Sequence, residues 1–343
     1  MPGRSNHPTR RTLLLAGLAL PLAGCGIRLE RDAPEILGIP TLPPPADSTV
    51  MQDTVTRLRQ VAGALAGQDP AAWTAPLRAL HTDQADRLTR IAASAGIEIS
   101  APATSSSSST STSSPQTGTA APTTSPTTVT TDPAPTSAST SGGSAISSGA
   151  TASTVSVHPA STTETAALTA SAVAAAAAAT DEHRPALLAT LAGHRCGARV
   201  LGATDLPVAV GLPSASAAAV LEPVRLAVYV AETLIAKTAA KDRTQLSTLL
   251  SLLTAERMRL RTEAGTAAKP EQLSYALPSG TDNPAHTRTT MARLVHDCAT
   301  GVAAQSGAAT TTGAATRLVQ LWGDLTAAGW QWGQAPDTFL GLR

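Results

Sequence analysis

Aromatic residues are almost missing: four Trp, two Tyr and one Phe in 343 residues, or 2 %. Any core must therefore rest on Ala, Leu and Val. Charge is scarce too, at 14 % of residues against the usual ~25 %. The 25 Lys+Arg and 24 Asp+Glu nearly cancel, to a formal +1. That balance removes the electrostatic reason to expect a nucleic-acid partner. The chain has no Gly-x-Ser-x-Gly, no Gly-Lys-Ser/Thr loop, no His-Glu-x-x-His and no Cys-x-x-Cys. These absences take away the sequence signatures of a nucleophile elbow, a phosphate cradle, a zinc protease and a redox dithiol. No alternating apolar and polar run of useful length appears, which argues against a sheet.

What is present begins with an address. Met1 to Arg11 is polar and basic, and Leu13 to Leu22 is apolar with interspersed Gly and Pro. The apolar run is too short to cross ~30 Å of hydrocarbon as a helix, so residues 1–24 read as a signal peptide. The sequence Leu22-Ala23-Gly24-Cys25 that follows resembles the bacterial lipobox. That resemblance implies a diacylglyceryl group on Cys25, cleavage just before it, and a protein held at the extracytoplasmic face of the cell membrane. Two acyl chains give stable anchoring where one gives only marginal binding, at ~0.8 kcal/mol per buried methylene. Thr9-Arg10-Arg11-Thr12-Leu13-Leu14-Leu15 resembles a twin-arginine export motif; the alternative is the basic region of a general secretory signal. Without the first 24 residues the chain has 22 basic and 24 acidic residues, a net of −2. A polybasic grip on anionic lipid is thus not available, and attachment must be hydrophobic or covalent.

With Cys25 committed to lipid, Cys196 and Cys298 remain, an even pair in an oxidising compartment. A disulfide between them is expected. The alternative is two separately buried thiols.

Residues 25–47 carry Pro34, Pro40, Pro43, Pro44 and Pro45 and little periodicity, as a tether would. Val55, Leu58, Val61 and Leu65 then line one helix face, and Leu77, Leu80, Gln84, Leu88 and Ile91 line a second, so 48–99 reads as a helical hairpin. Residues 100–162 differ in kind. Ser and Thr fill 32 of the 60 positions from 101 to 160, and Asp132 is the only formal charge there. Such a stretch cannot bury enough apolar surface to offset its ordering entropy, so a long disordered insert is expected, with O-glycosylation open. Helical pattern resumes over 163–206, with a break near Pro185, and four further helices are expected near 214–238, 242–265, 284–306 and 314–330. The fold class is all-α, with about three helices ahead of a C-terminal four-helix bundle.

The segment 214–343 resembles the ferritin-like domain of unknown function found in exported actinobacterial proteins. The resemblance rests on Ala227-Val228-Tyr229, the Arg257, Arg259 and Arg261 group, Tyr275-Ala276-Leu277-Pro278, Ala292-Arg293-Leu294, Asp297-Cys298-Ala299, Trp330, Trp332 and the Thr338–Leu342 tail. It implies a ferritin-like four-helix bundle. In this chain Leu340 stands where Pro is usual, Val224-Arg225 stand where relatives carry Glu-His, and His296 stands in place of an acid.

A di-iron site of that class needs carboxylates from four helices and two Glu-x-x-His pairs; this chain has no Glu-x-x-His. Glu222, Glu232, Glu256 and His296 are the conceivable remnants, and surface acids and a lone histidine explain them as well. His183, His194 and Cys196 do not share one helix face. Metal ligands, cofactors and catalytic residues are accordingly not expected. Arg257 and Arg261, at i and i+4, are candidate anion ligands; the alternative is a solvated face paired with Glu256 and Glu263. The functional expectation is a lipid-anchored, non-enzymatic binding or structural component of the envelope. Its partner would be the membrane and an envelope protein or glycan, with no nucleic acid. The alternatives are a ferritin-like metal-binding or oxidase protein with a degenerate site, and a carrier of a small apolar ligand.

Overall fold

The computed structural model describes residues 43–68, 72–100, 157–204, 206, 209, 211–279, 281 and 283–342. The expectations for Arg10, Arg11, Leu22, Ala23, Gly24 and Cys25 lie outside the described residues, as does 101–156. Among the described residues there are nine α-helices and no strand: α1 Ser48–Ala66, α2 Thr74–Ser94, α3 Ala160–Ala166, α4 Ala170–Ala178, α5 Arg184–Val200, α6 Ser214–Ile235, α7 Ala240–Ala264, α8 Thr287–Ala303 and α9 Thr312–Gln331. None is long and apolar enough to cross a membrane.

The apolar spacing explains most of these elements. In α1 the buried side chains include Met51, Val55, Leu58, Val61 and Leu65, a single stripe laid against α2, whose own stripe is Leu77, Leu80, Leu88 and Ala92. Thr169 and Thr311 cap α4 and α9, each hydroxyl accepting from the backbone N–H three residues on. Pro185 sits in the first turn of α5, where a missing N–H costs nothing, so the chain breaks before it rather than at it. Pro223 lies within α6, and Gly301 of α8 lies opposite its ring.

Helix α5 has 14 of its 17 residues buried, so it needs neighbours on every side. It has them in α2, α3, α4 and α9. On the other side of α9 lies α8, which also packs on α6, and α6 carries α7. The short helix α3 begins at Ala160, ahead of the expected return of order at Thr163, and packs on α5 and α1.

The few aromatics cluster where the C-terminus turns back. Trp322 and Trp330 are fully buried, and Trp330 stacks on Trp73 at 5.7 Å. Trp322 Nε1 donates to the Leu340 carbonyl at 2.9 Å, and Arg87 of α2 covers the Phe339 ring at 5.2 Å. Burial of each indole removes about 150–250 Å² from water, roughly 4–6 kcal/mol as an upper bound. The tail is thereby fixed against α2 and α9.

The expected Cys196–Cys298 disulfide is corrected by the structure. Both residues are free, buried thiols. Cys196 is on α5 and Cys298 on α8, and both helices pack on α9 rather than closely on each other. An even cysteine count carries no information about the helix that intervenes.

Candidate functional site

Three helices distant in sequence bring one polar cluster into the core. Helix α2 supplies His81 and Gln84, three residues apart and so on one face; α3 supplies Glu164; α5 supplies His194. All four side chains are 0–1 % exposed. The Glu164 carboxylate lies between the two imidazoles. His81 Nε2 is 2.9 Å from Oε1 and His194 Nδ1 is 2.8 Å from Oε2. The imidazole rings stack with centroids 4.5 Å apart.

Hydrogen bonds around the cluster fix the protons. Gln84 Nε2 donates to the Thr338 carbonyl at 2.9 Å, which turns Gln84 Oε1 toward His81 Nδ1, 3.1 Å away. An amide oxygen only accepts, so His81 Nδ1 carries a hydrogen. Its Nε2 faces a carboxylate and carries another. His81 is therefore an imidazolium paired with Glu164.

The electrostatics agree. Burial pushes the Glu164 carboxyl up, but the His81 charge and the two imidazole hydrogen bonds outweigh it and hold it down at about 2. Burial pushes His81 down, and the Glu164 charge with its hydrogen bond reverses this to a net rise. His194 is lowered, first by burial and then by the His81 charge, so it stays neutral.

Backbone makes room for this cluster. A Cβ built on Gly197 would lie 2.7 Å from both Glu164 Cδ and Oε1, and one on Gly193 would lie 3.0 Å from Gln84 Nε2. The two glycines, four apart on α5, form the notch that admits the carboxylate and the amide. The start of α3 is fastened to the end of α5 by His158, whose N–H donates to the Leu201 carbonyl at 2.9 Å.

Two further charge clusters hold helices together. Asp324 of α9 receives Arg195 at 2.8 and 2.9 Å and Arg199 at 2.9 and 3.3 Å. Burial raises this carboxyl, but the two guanidinium hydrogen bonds outweigh it and lower it. Arg317 of α9, 1 % exposed, spans two acids of α7: Glu256 at 2.6 Å and Glu263 at 2.9 Å. Burial opposes its charge, yet those carboxylates raise its pKa further.

The residues singled out from the sequence fall elsewhere. Arg257 and Arg261 both approach Glu271, at 3.5 and 3.9 Å, so a carboxylate of the chain itself already stands where an anion was expected. Of their alternative partners, Glu256 pairs with Arg259 and Arg317, and Glu263 pairs with Arg317. Glu222 pairs with Arg225 at 2.8 Å, Glu232 is exposed, and His296 bonds to Gln334. The conceivable iron remnants are thus engaged separately. His183 pairs with Asp47 at 2.9 Å, apart from His194.

His81, Glu164 and Gln84 did not figure in the expected site. The signals were slight: Glu164 is the only acid between Asp132 and Asp181, and Gly193 and Gly197 flank His194 at helical spacing. Among the described residues, His81, Glu164 and His194 are the group whose donor atoms converge closely enough to hold a metal ion. Comparison with known proteins finds no matching protein family, no matching curated protein and no matching solved structure.

Proposed function

We propose that this chain is a lipid-anchored protein of the extracytoplasmic face of a bacterial cell membrane, a binding or structural component of the envelope rather than an enzyme. The observation that carries the reading is Leu22-Ala23-Gly24-Cys25 directly after a short apolar run and ahead of a Pro-rich stretch. A diacylglyceryl group on Cys25 would supply the hold that a net charge near zero does not. The geometry at the start of the helical body suits a tethered load. Asp47, in left-handed backbone at φ 67°, uses one carboxylate oxygen to accept from Thr180 N at 2.9 Å, Thr180 Oγ1 at 2.6 Å and His183 Nδ1 at 2.9 Å. The residue that ends the Pro-rich stretch is thus bound to the turn before α5.

The finer fold reading, a ferritin-like bundle over 214–343, is supported by the neighbours that α6–α9 keep. Helix α6 packs on α7 and α8, α8 packs on α9, and Arg317 links α9 to α7. Val224 and Arg225, at the positions where the resemblance implies ligands, are buried.

The test is expression of the full chain and of Cys25→Ala in a bacterial host, with labelled fatty acid and membrane fractionation. The reading expects label and membrane recovery for the parent and neither for the variant. Equal recovery of both, or an unlabelled parent, refutes it. A second reading, metal handling, is favoured by one observation, the convergence of His81, Glu164 and His194.

A further inference from the structure

We propose that His81, Glu164 and His194 hold a divalent first-row transition ion of the zinc class, in a site lying outside the α6–α9 block. This goes beyond the envelope reading and does not depend on it.

The donor atoms are His81 Nε2, His194 Nδ1 and a Glu164 carboxylate oxygen, all within 4.8 Å of one another. Zinc–nitrogen and zinc–oxygen bonds of about 2.0–2.2 Å put tetrahedral ligands roughly 3.3 Å apart. Each imidazole nitrogen lies 2.8 or 2.9 Å from a different oxygen of the Glu164 carboxylate, and the remaining donor separations lie within 4.8 Å, so the group closes on an ion by shifts of about an ångström or less. Each imidazole presents to the carboxylate the same nitrogen it would present to the ion, so loading releases one proton, from His81 Nε2 to solvent, and moves the His194 hydrogen from Nδ1 to Nε2.

The supporting groups match what a metal-bound histidine needs. Such a histidine donates its outer N–H to a fixed acceptor, which sets the tautomer and aims the other nitrogen. Gln84 Oε1 is that acceptor for His81, and the Thr338 carbonyl fixes Gln84 in turn. The arrangement reaches from α2 to the C-terminal tail. Gly193 and Gly197 clear the volume beside the amide and the carboxylate.

The donor set selects the class of ion. One carboxylate and two imidazoles are too few oxygens for calcium or magnesium, which take oxygen shells. No thiolate joins the group: Cys196 sits two residues beyond His194 and is not among the converging donors. Imidazole with carboxylate suits zinc, cobalt, nickel, copper and ferrous iron. The donors are buried, so loading accompanies folding rather than following it.

The experiment uses the full chain, unfolded with chelator and refolded with Zn²⁺ or Co²⁺, then gel-filtered and analysed for metal. The proposal expects about one ion per folded chain, d–d absorption from Co²⁺, and X-ray absorption from the zinc form with two imidazoles and no sulfur. Gln84→Ala is expected to weaken affinity about 10–100-fold. Glu164→Gln should abolish retention, while His183→Asn, at the separate Asp47 pair, should leave it intact. A folded parent chain that retains no stoichiometric ion overturns the proposal, and so does a sulfur-containing shell. A folded Glu164→Gln chain that retains as much metal as the parent also overturns it. If Glu164→Gln does not fold, the parent's stoichiometry and shell decide the question alone.

Discussion

Gly197→Ala puts the packing around Glu164 to a quantitative test. In the last turn of α5 the added methyl should by itself stabilise the helix by up to about 1 kcal/mol. The structure predicts the opposite sign. The new Cβ would stand 2.7 Å from Glu164 Cδ and Oε1, against the ordinary ~3.5–4.0 Å for carbon contacts. A flexible exposed carboxylate would swing aside at little cost. This one is held by His81 on one oxygen and His194 on the other. Either α3 lifts from α5, at about 1–3 kcal/mol for overpacking, or one charge-assisted bond is lost, at about 1.5–3 kcal/mol. Set against the propensity gain, the net is a loss of up to about 2 kcal/mol. Urea unfolding of the chain, followed by circular dichroism, measures it. Gly63→Ala is the comparator: that position is exposed on α1 with nothing within 4 Å of a new Cβ. It should gain up to about 1 kcal/mol. A Gly197→Ala chain as stable as Gly63→Ala would show that Glu164 is not locked and would refute the reasoning.

Other outcomes follow from the same contacts. Asp324→Asn removes the carboxylate that Arg195 and Arg199 share and should destabilise the chain by roughly 1.5–3 kcal/mol in thermal or urea unfolding. Because the Asp324 carboxyl is lowered in the folded chain, its contribution is present above the ordinary carboxylate value near ~4 and is lost as pH falls through the lowered one. The parent should therefore lose stability relative to Asp324→Asn as the solution is acidified. Burial raises both thiols, Cys196 well above the ordinary value with the Glu164 charge adding to it, and Cys298 with the Asp297 charge adding to it. Chains carrying lipid on Cys25 should show no thiol titratable by a disulfide reagent when folded. They should show both when unfolded without reductant, and their melting temperature should not respond to reductant; a disulfide would give the reverse.

The helices were legible wherever burial of apolar side chains imposed a 3.6-residue spacing. Val55, Leu58, Val61 and Leu65 announce α1, and all four are buried. Helix α3 was not legible, because its buried residues are Ala160, Ser161 and Glu164 and it offers no stripe. It stands at the edge of a Ser/Thr-rich stretch and is ordered by what it meets on α5. The cluster around Glu164 was hidden for a related reason. Gln84 and His81 ride on the apolar face of α2, where a polar side chain looks like an interruption of the core. Their partners come from segments about 80 and 110 positions away, and only the fold joins them. The arginines misled in the other direction: Arg257 and Arg261 are conspicuous on the helix, but Arg317, the one arginine of α9, is the one that gathers two acids of α7. Helical spacing reports which face is buried, and says little about which charges meet there.

One buried carboxylate joins α2, α3 and α5 through two imidazoles in different protonation states. Nitrogen NMR of selectively labelled histidines in the chelator-treated, folded chain tests it directly. His81 should be an imidazolium at neutral pH with both N–H protons slow to exchange, and His194 should be a neutral ring protonated at Nδ1. Because His81 is raised, its stabilising share is complete below the ordinary histidine value near ~6.5 and is lost as pH rises through the raised one. Two ordinary imidazoles titrating together near that value, with rapidly exchanging protons, would contradict the account.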